Sequence, residues 1–253
     1  MLASWNGTLS TDRSKGIATD GAALDHPGLP WPIAIRHHPR ARRMRLRLDP
    51  DNRRLLLTCP PRSSRKAAID WAVDQRPWVE SELAKLPPGN PFAPGEHIPL
   101  EGVEVLLERL PGQSRIVHHD DGNRLVCGGP PDGFGQRIEA WLKRRARDLL
   151  SAETAEIARR AGVTVRGVSI GDASSRWGSC SESGAIRYNW RLILAPPDVR
   201  RWVVAHEVAH RVHMNHGAAF KALEAALFDG DVDSARSALR LVGPRLKRVG
   251  RGL

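Results

Sequence analysis

The sequence predicts a mixed α+β protein on three observations. Short runs alternating apolar with polar residues, set off by Pro, Gly and Asp turns, fill most of the stretch from 33 to 127. An apolar stripe at helical spacing then runs from Ile138 to Arg160 and stops at Gly162. Further on, Pro196-Pro197-Asp198 opens an apolar helix containing His206-Glu207-Val-Ala-His210.

With 253 residues, 41% of them hydrophobic, the chain is long enough for one large domain or two small ones. The organisation expected from composition and patterning is a disordered lead-in over 1–30, a β-rich region with a basic hairpin over 31–130, a domain holding the histidine helix over 131–230, and a helix with a basic tail over 231–253. No apolar run approaches the length of a membrane span, and the polar first thirty residues lack the apolar segment of a secretory signal. Cys59, Cys127 and Cys180 are odd in number and widely spaced, which suits reduced thiols. A soluble cytoplasmic protein is the expectation.

Met44 to Leu48 alternates apolar with basic residues, Asp49 to Asn52 makes a turn, and Arg54 to Cys59 forms the returning strand of a β-hairpin. Arg43, Arg45 and Arg47 would line one face of it, where a polyanion could lie. Between Ile33 and Lys66 eleven basic residues face only Asp49 and Asp51, and the whole chain carries a net charge of +11. Part of that excess is compositional, because arginine outnumbers lysine 33 to 6.

Ser63 or Ser64 can cap a helix with apolar positions at Ala68, Ile69, Ala72 and Val73, and Pro77 begins a second helical piece that ends before Pro87. Strands are expected at 97–100, 103–110, 114–118 and 123–127, as a small antiparallel sheet. His118 and His119 are adjacent, hence on opposite strand faces, and read as surface residues. After the long helix, a strand over 163–170 and a hairpin over 174–194 lead into the histidine helix, and that hairpin could wall a cleft where an extended peptide pairs with an exposed edge. Helices at 218–228 and 234–242 follow.

Two histidines four apart on a helix stand one turn apart on one face, which suits two imidazole nitrogens each about 2 Å from one Zn²⁺. Glu207, between His206 and His210, could then take a proton from a water activated by the metal. A catalytic zinc needs three protein ligands and an open position. His216 is the natural third, beyond a helix end expected at Asn215 and Gly217, where a left-handed residue would turn the chain back. His213 is a rival that a straight helix would carry about 10.5 Å past His206, and Glu224 of the following helix is another. The spacing to His216 equals that of metzincins, but His213 replaces their glycine and no downstream methionine supplies their Met-turn.

Arg176-Trp-Gly-Ser-Cys-Ser181, Ile186-Arg-Tyr-Asn189-Trp190-Arg191-Leu192, His206-Glu-Val-Ala-His210 and Met214-Asn215-His216 together resemble the YgjP-like metallopeptidase family, strongly from about 176 to 220 and more weakly from about 33. The His216-Gly-x-x-Phe220 ending is also similar to SprT-like and Wss1-like proteases, which act on DNA-bound proteins. The resemblance implies a zincin-like α+β fold, zinc on His206, His210 and His216, and Glu207 as the catalytic carboxylate. It leaves the role of Tyr188 open, since family members often have an apolar residue there.

Arg176, Tyr188 and Asn189 are candidates for contact with substrate or transition state, Tyr188 as an oxyanion donor. Cys180 as a fourth ligand would close the open position. Three functional readings follow: a zinc metallopeptidase with Glu207 as general base, a phosphoanhydride hydrolase acting on nucleotides at the same centre, and a nucleic-acid-associated protein using Arg36 to Lys66.

Overall fold

The computed structural model describes residues 22–50 and 53–252, and these cluster into two compact units that meet in sequence between Lys85 and Leu86. The expected lead-in falls outside the described residues up to position 21, as do Asp51 and Asn52 of the expected turn.

The first unit is a three-stranded sheet covered by two helices. Strand β1 (Ile33–His37) pairs parallel with β3 (Arg54–Cys59), and β2 (Arg45–Asp49) pairs antiparallel with the other side of β3. Within the last part of the expected lead-in, Leu24 already bridges Ile33 and Leu29 is buried. Helices α1 (Arg65–Asp74) and α2 (Arg76–Ala84) follow; the Ser64 hydroxyl accepts from the Ala67 amide as N-cap, and Pro77 lies in the first turn of α2. The core is the inward side of the alternation, with Ile33, Ile35, Leu46, Leu55 and Leu57 against Ala68, Ala72 and Val79.

The second unit holds everything from 86 onward. Strands β4 (His97–Leu100), β5 (Val103–Glu108), β6 (Arg115–His119) and β7 (Gly122–Val126) form a sheet in the order β4-β5-β7-β6. The expected all-antiparallel sheet is corrected here, because the β6–β7 hairpin inserts β7 beside β5 and those two run parallel. Nor do these strands group with the basic hairpin, as the expected division at 130 had it. Ile98, Val105, Leu107 and Leu125 share one core with the histidine helix.

Helix α3 (Phe134–Ala161) buries Ile138, Leu142, Ala146, Leu150 and Ile157, a stripe of i, i+4 neighbours, and ends at Gly162 with φ of 65°. The second sheet has the order β8 (Gly167–Gly171), β10 (Ala185–Asn189), β9 (Gly178–Cys180). The expected hairpin arm over 185–194 is half strand and half 3-10 turn, the latter spanning Trp190–Leu194 with Asn189 as its cap. Helix α4 (Pro197–Ala209) is buried nearly all round. Two ion pairs fasten it to α3, Arg200 to Glu153 at 2.9 Å in the interior and Arg201 to Glu156 at 3.0 Å nearer the surface. Helices α5 (Ala218–Phe228) and α6 (Val232–Leu246) complete the unit. No described helix is long and apolar enough to cross a membrane.

Candidate metal centre and active site

Helix α4 stops sooner than its composition suggests. Its cap is His210, and the chain tightens there through bonds from the Arg211 amide to the Val208 carbonyl and from Val212 and His213 to Ala209. The expected extension to Asn215 with a left-handed turn does not form; Gly217 has φ of −72° and begins α5. His206 is therefore in the last turn of α4, His210 at its end, and His216 at the end of the loop that leads to α5.

Their imidazoles offer ligand atoms that all lie within 4.8 Å of one another. The Nε2 atoms of His206 and His216 are 3.2 Å apart, close to the roughly 3.3 Å expected of two nitrogens bound at about 2.0–2.1 Å to one tetrahedral ion. The opposite nitrogens are occupied. Nδ1 of His206 lies 2.8 Å from Glu224 Oε1, and Nδ1 of His210 lies 3.1 Å from the His213 carbonyl, which directs Nε2 of both rings away from these partners. Phe220, fully buried, packs against all three rings with centroids 4.6 to 5.1 Å away. The donor set and its orientation fit a borderline metal such as zinc. Burial and the neighbouring His206 charge hold His210 down to about 4, and burial with that same charge lowers His216, shifts that favour the neutral form a metal requires.

Neither rival for the third position joins the cluster. His213 contributes its backbone carbonyl to His210. Glu224 is buried behind His206, where Oε1 accepts from Nδ1 of that ring and from Trp202 Nε1, each at 2.8 Å, while Arg236 of α6 stands 3.8 Å from Oε2. Burial alone would raise its pKa, but the His206 and Trp202 hydrogen bonds and the Arg236 charge outweigh it and hold the carboxyl below the usual range.

Glu207 is also buried, yet its carboxylate makes no hydrogen bond among the described residues. Burial pushes it up to about 7, against opposing pulls from the charges of His206 and Arg176. Gly178 of β9 lies against it so closely that a Cβ there would stand 2.5 Å from Glu207 Oε1. The glycine leaves the carboxylate its space.

The scan against protein-family models matches residues 42–240 to the YgjP-like metallopeptidase domain. The chain belongs to the YgjP-like metallopeptidase family. Its membership implies a metal ion, and the α+β architecture built around α4 is the zincin-like one expected. No curated protein matches the chain. Among solved structures, the metallopeptidase zymogen abylysin of Pyrococcus abyssi aligns with 16% identity over 40% of this chain and 97% of its own, at a TM-score of 0.34.

The remaining candidates of this YgjP-like metallopeptidase divide. Arg176 is exposed and close enough for its charge to act on Glu207. Together with Trp177, Gly178 and Arg187 it lines a cavity of about 410 Å³. Tyr188 is turned inward instead, buried with its hydroxyl 3.0 Å from Thr154 Oγ1, and burial raises its pKa. Asn189 is likewise buried, its amide holding the Ala173 carbonyl and capping Arg191. Both line the cavity wall, with the Tyr188 hydroxyl engaged by Thr154 and the Asn189 amide by Ala173 and Arg191. Cys180, half-buried, lies outside the imidazole cluster. Arg43, Arg45 and Arg47 are exposed in the first unit, on and just before β2.

Sequence reasoning gave Gly178 and Phe220 no role and weighed Glu224 only as a rival to His216, not as a partner of His206. For Glu224 a signal existed: an acidic residue inside an apolar stretch of α5, where burial demands a partner.

Proposed function

We propose that this metallopeptidase is a zinc enzyme that hydrolyses peptide bonds, with His206, His210 and His216 as ligands and Glu207 as general base. The observation that carries the proposal is the contrast at the site: three imidazoles converge, two of them (His206 and His210) with their outer nitrogens already committed, beside a buried carboxylate without a hydrogen-bond partner among the described residues. Zinc held there would polarise the scissile carbonyl and lower the pKa of the attacking water toward neutrality.

Glu207 would take a proton from the attacking water and deliver it to the leaving nitrogen. A proton affinity near neutrality suits both steps, since the same group must accept and then release. Gly178 keeps the carboxylate space for this motion. Arg176, which lines the cavity beside Gly178 and whose charge reaches Glu207, would supply positive charge to a substrate oxygen as negative charge develops on it. Of the two edge strands of its sheet, β8 and β9, β9 is the one whose Gly178 adjoins Glu207 and is the one offered to an extended substrate; β10, which precedes the helix, is paired on both sides.

The test is to incubate the zinc-loaded protein and its Glu207→Gln variant with peptide and nucleotide panels. Peptide products from the wild type alone, with zinc retained by both proteins, are expected. An unchanged rate in the variant would overturn the base assignment, and products from nucleotides alone would replace peptide chemistry with phosphoanhydride chemistry.

A further inference from the structure

The first unit is electrically lopsided. Residues 33–66, which build the sheet and the segments joining its strands, carry eleven basic residues against two acidic; residues 67–85, nearly all helix, carry Arg76 and Lys85 against Asp70, Asp74, Glu80 and Glu82. The sheet's apolar side faces those helices. Its opposite side is where the arginines emerge, because side chains alternate along a strand. In the pairing register Arg36, Thr58 and Arg45 form one row across the three strands, and Arg47 stands beside Leu56 in the next.

Arg45 and Arg47 are exposed on β2, which is the edge of the sheet, and Arg43 is exposed just before it. Successive same-face positions on a strand lie about 6.8 Å apart, so Arg45 and Arg47 present two charges at that spacing along β2, with Arg43 in the bend that leads into it. The nearby carboxylates are engaged elsewhere: Asp49 with Arg54, Asp70 with Lys66, Glu80 with Arg76 and Glu82 with Lys85. Among the described residues none pairs with Arg36, Arg43, Arg45 or Arg47.

A row of guanidinium groups matches a polymer of regularly spaced phosphates, which arginine can hold through two parallel hydrogen bonds. A bilayer surface fits less well, since the large exposed apolar residues are Trp78, Val103, Leu110, Val212 and Leu241, none of them on this sheet. Among the described residues no large exposed aromatic lies on this face to stack with bases. We propose that this face binds the phosphodiester backbone of nucleic acid without regard to base sequence. The binding is independent of the metal centre.

The test uses the full-length protein and fluorescently labelled single-stranded and duplex oligonucleotides of two unrelated sequences, with anisotropy measured from about 50 to 200 mM salt. The expected result is equal affinity for the two sequences and a linear fall of log affinity with log salt. Replacing Arg43, Arg45 and Arg47 together by Gln reduces the slope by about two to three, at 0.7 per phosphate contact on a single strand and 0.9 on a duplex. The Lys triple variant retains the slope, which separates charge from folding, and Glu80→Gln on the helix side leaves it unchanged. Single-strand and duplex arms decide which form is preferred. No binding by the wild type at the lowest salt, an unaltered slope in the Gln variant, or binding to phosphatidylserine vesicles but to neither oligonucleotide would overturn the proposal.

Discussion

Glu207 and Glu224 both touch the His206 neighbourhood and are buried to nearly the same degree, 5% and 2% exposed, yet their surroundings push them in opposite directions. Around Glu224 the protein has placed His206, Trp202 and Arg236, and the carboxyl is held in its charged form. Around Glu207 it has placed the bare backbone of Gly178 and no hydrogen-bond donor among the described residues, and the carboxyl holds a proton up to about pH 7. Burial alone does not decide what a carboxylate does; its partners do. One stays charged and holds a ring in place; the other is left without such partners, as the proposed role of general base asks.

If that division is real, substitutions at the two should damage different quantities. Glu207→Gln should lower kcat by about 10²- to 10⁴-fold while zinc affinity, measured by chelator competition, stays within the wild-type range. The contrast should also appear in the metal-free protein as a difference in pH dependence. A carboxyl raised to about 7 in the folded state binds a proton that the unfolded chain has already released, so stability falls as pH rises from about 4.5 toward 7, by on the order of 3 kcal/mol. His210, held down to about 4, contributes with the opposite sign over an overlapping range, but it does so in wild type and variant alike. Denaturant titrations of both proteins across that window should differ by the Glu207 contribution alone, and parallel curves would remove the claim that Glu207 is buried without support.

Gly178→Ala should preserve the fold and cost activity by about 10²-fold, because the added methyl meets the mobile end of Glu207 and displaces it. Unaltered kinetics would mean that the carboxylate has other room. Glu224→Ala should instead weaken zinc binding by about 10- to 100-fold, with kcat at saturating zinc far less affected. The smallest effect is expected for Tyr188→Phe, about 1 kcal/mol of stability through loss of the Thr154 hydrogen bond and no change in kcat. A large kcat loss there would return Tyr188 to the reaction.

What was legible in the sequence was what repeats locally. The α3 stripe with Gly162 behind it, the cap of α1 and the spacing of His206, Glu207 and His210 are all encoded within a turn or two of chain. Parallel pairings were not: β1 with β3, β5 with β7 and β8 with β10 join strands with other structure between them, and no turn residue announces them. The early end of α4 escaped for a similar reason, since tightened hydrogen bonds at His210 stop the helix without a Gly or Pro. Glu224 looked like a ligand because it is acidic and close in sequence; its actual place depends on how α5 packs against α4.

The two rings on α4 are steadied by unlike means, and the difference bears on how sequence drift would touch the site. His206 leans on a side chain, so position 224 is spelled out in the protein's alphabet and a change there is visible. His210 leans on the main-chain oxygen of residue 213, which every amino acid carries. Any residue that keeps the local bend serves equally at 213, and a motif search would see half of what aims the two rings while remaining blind to the other half.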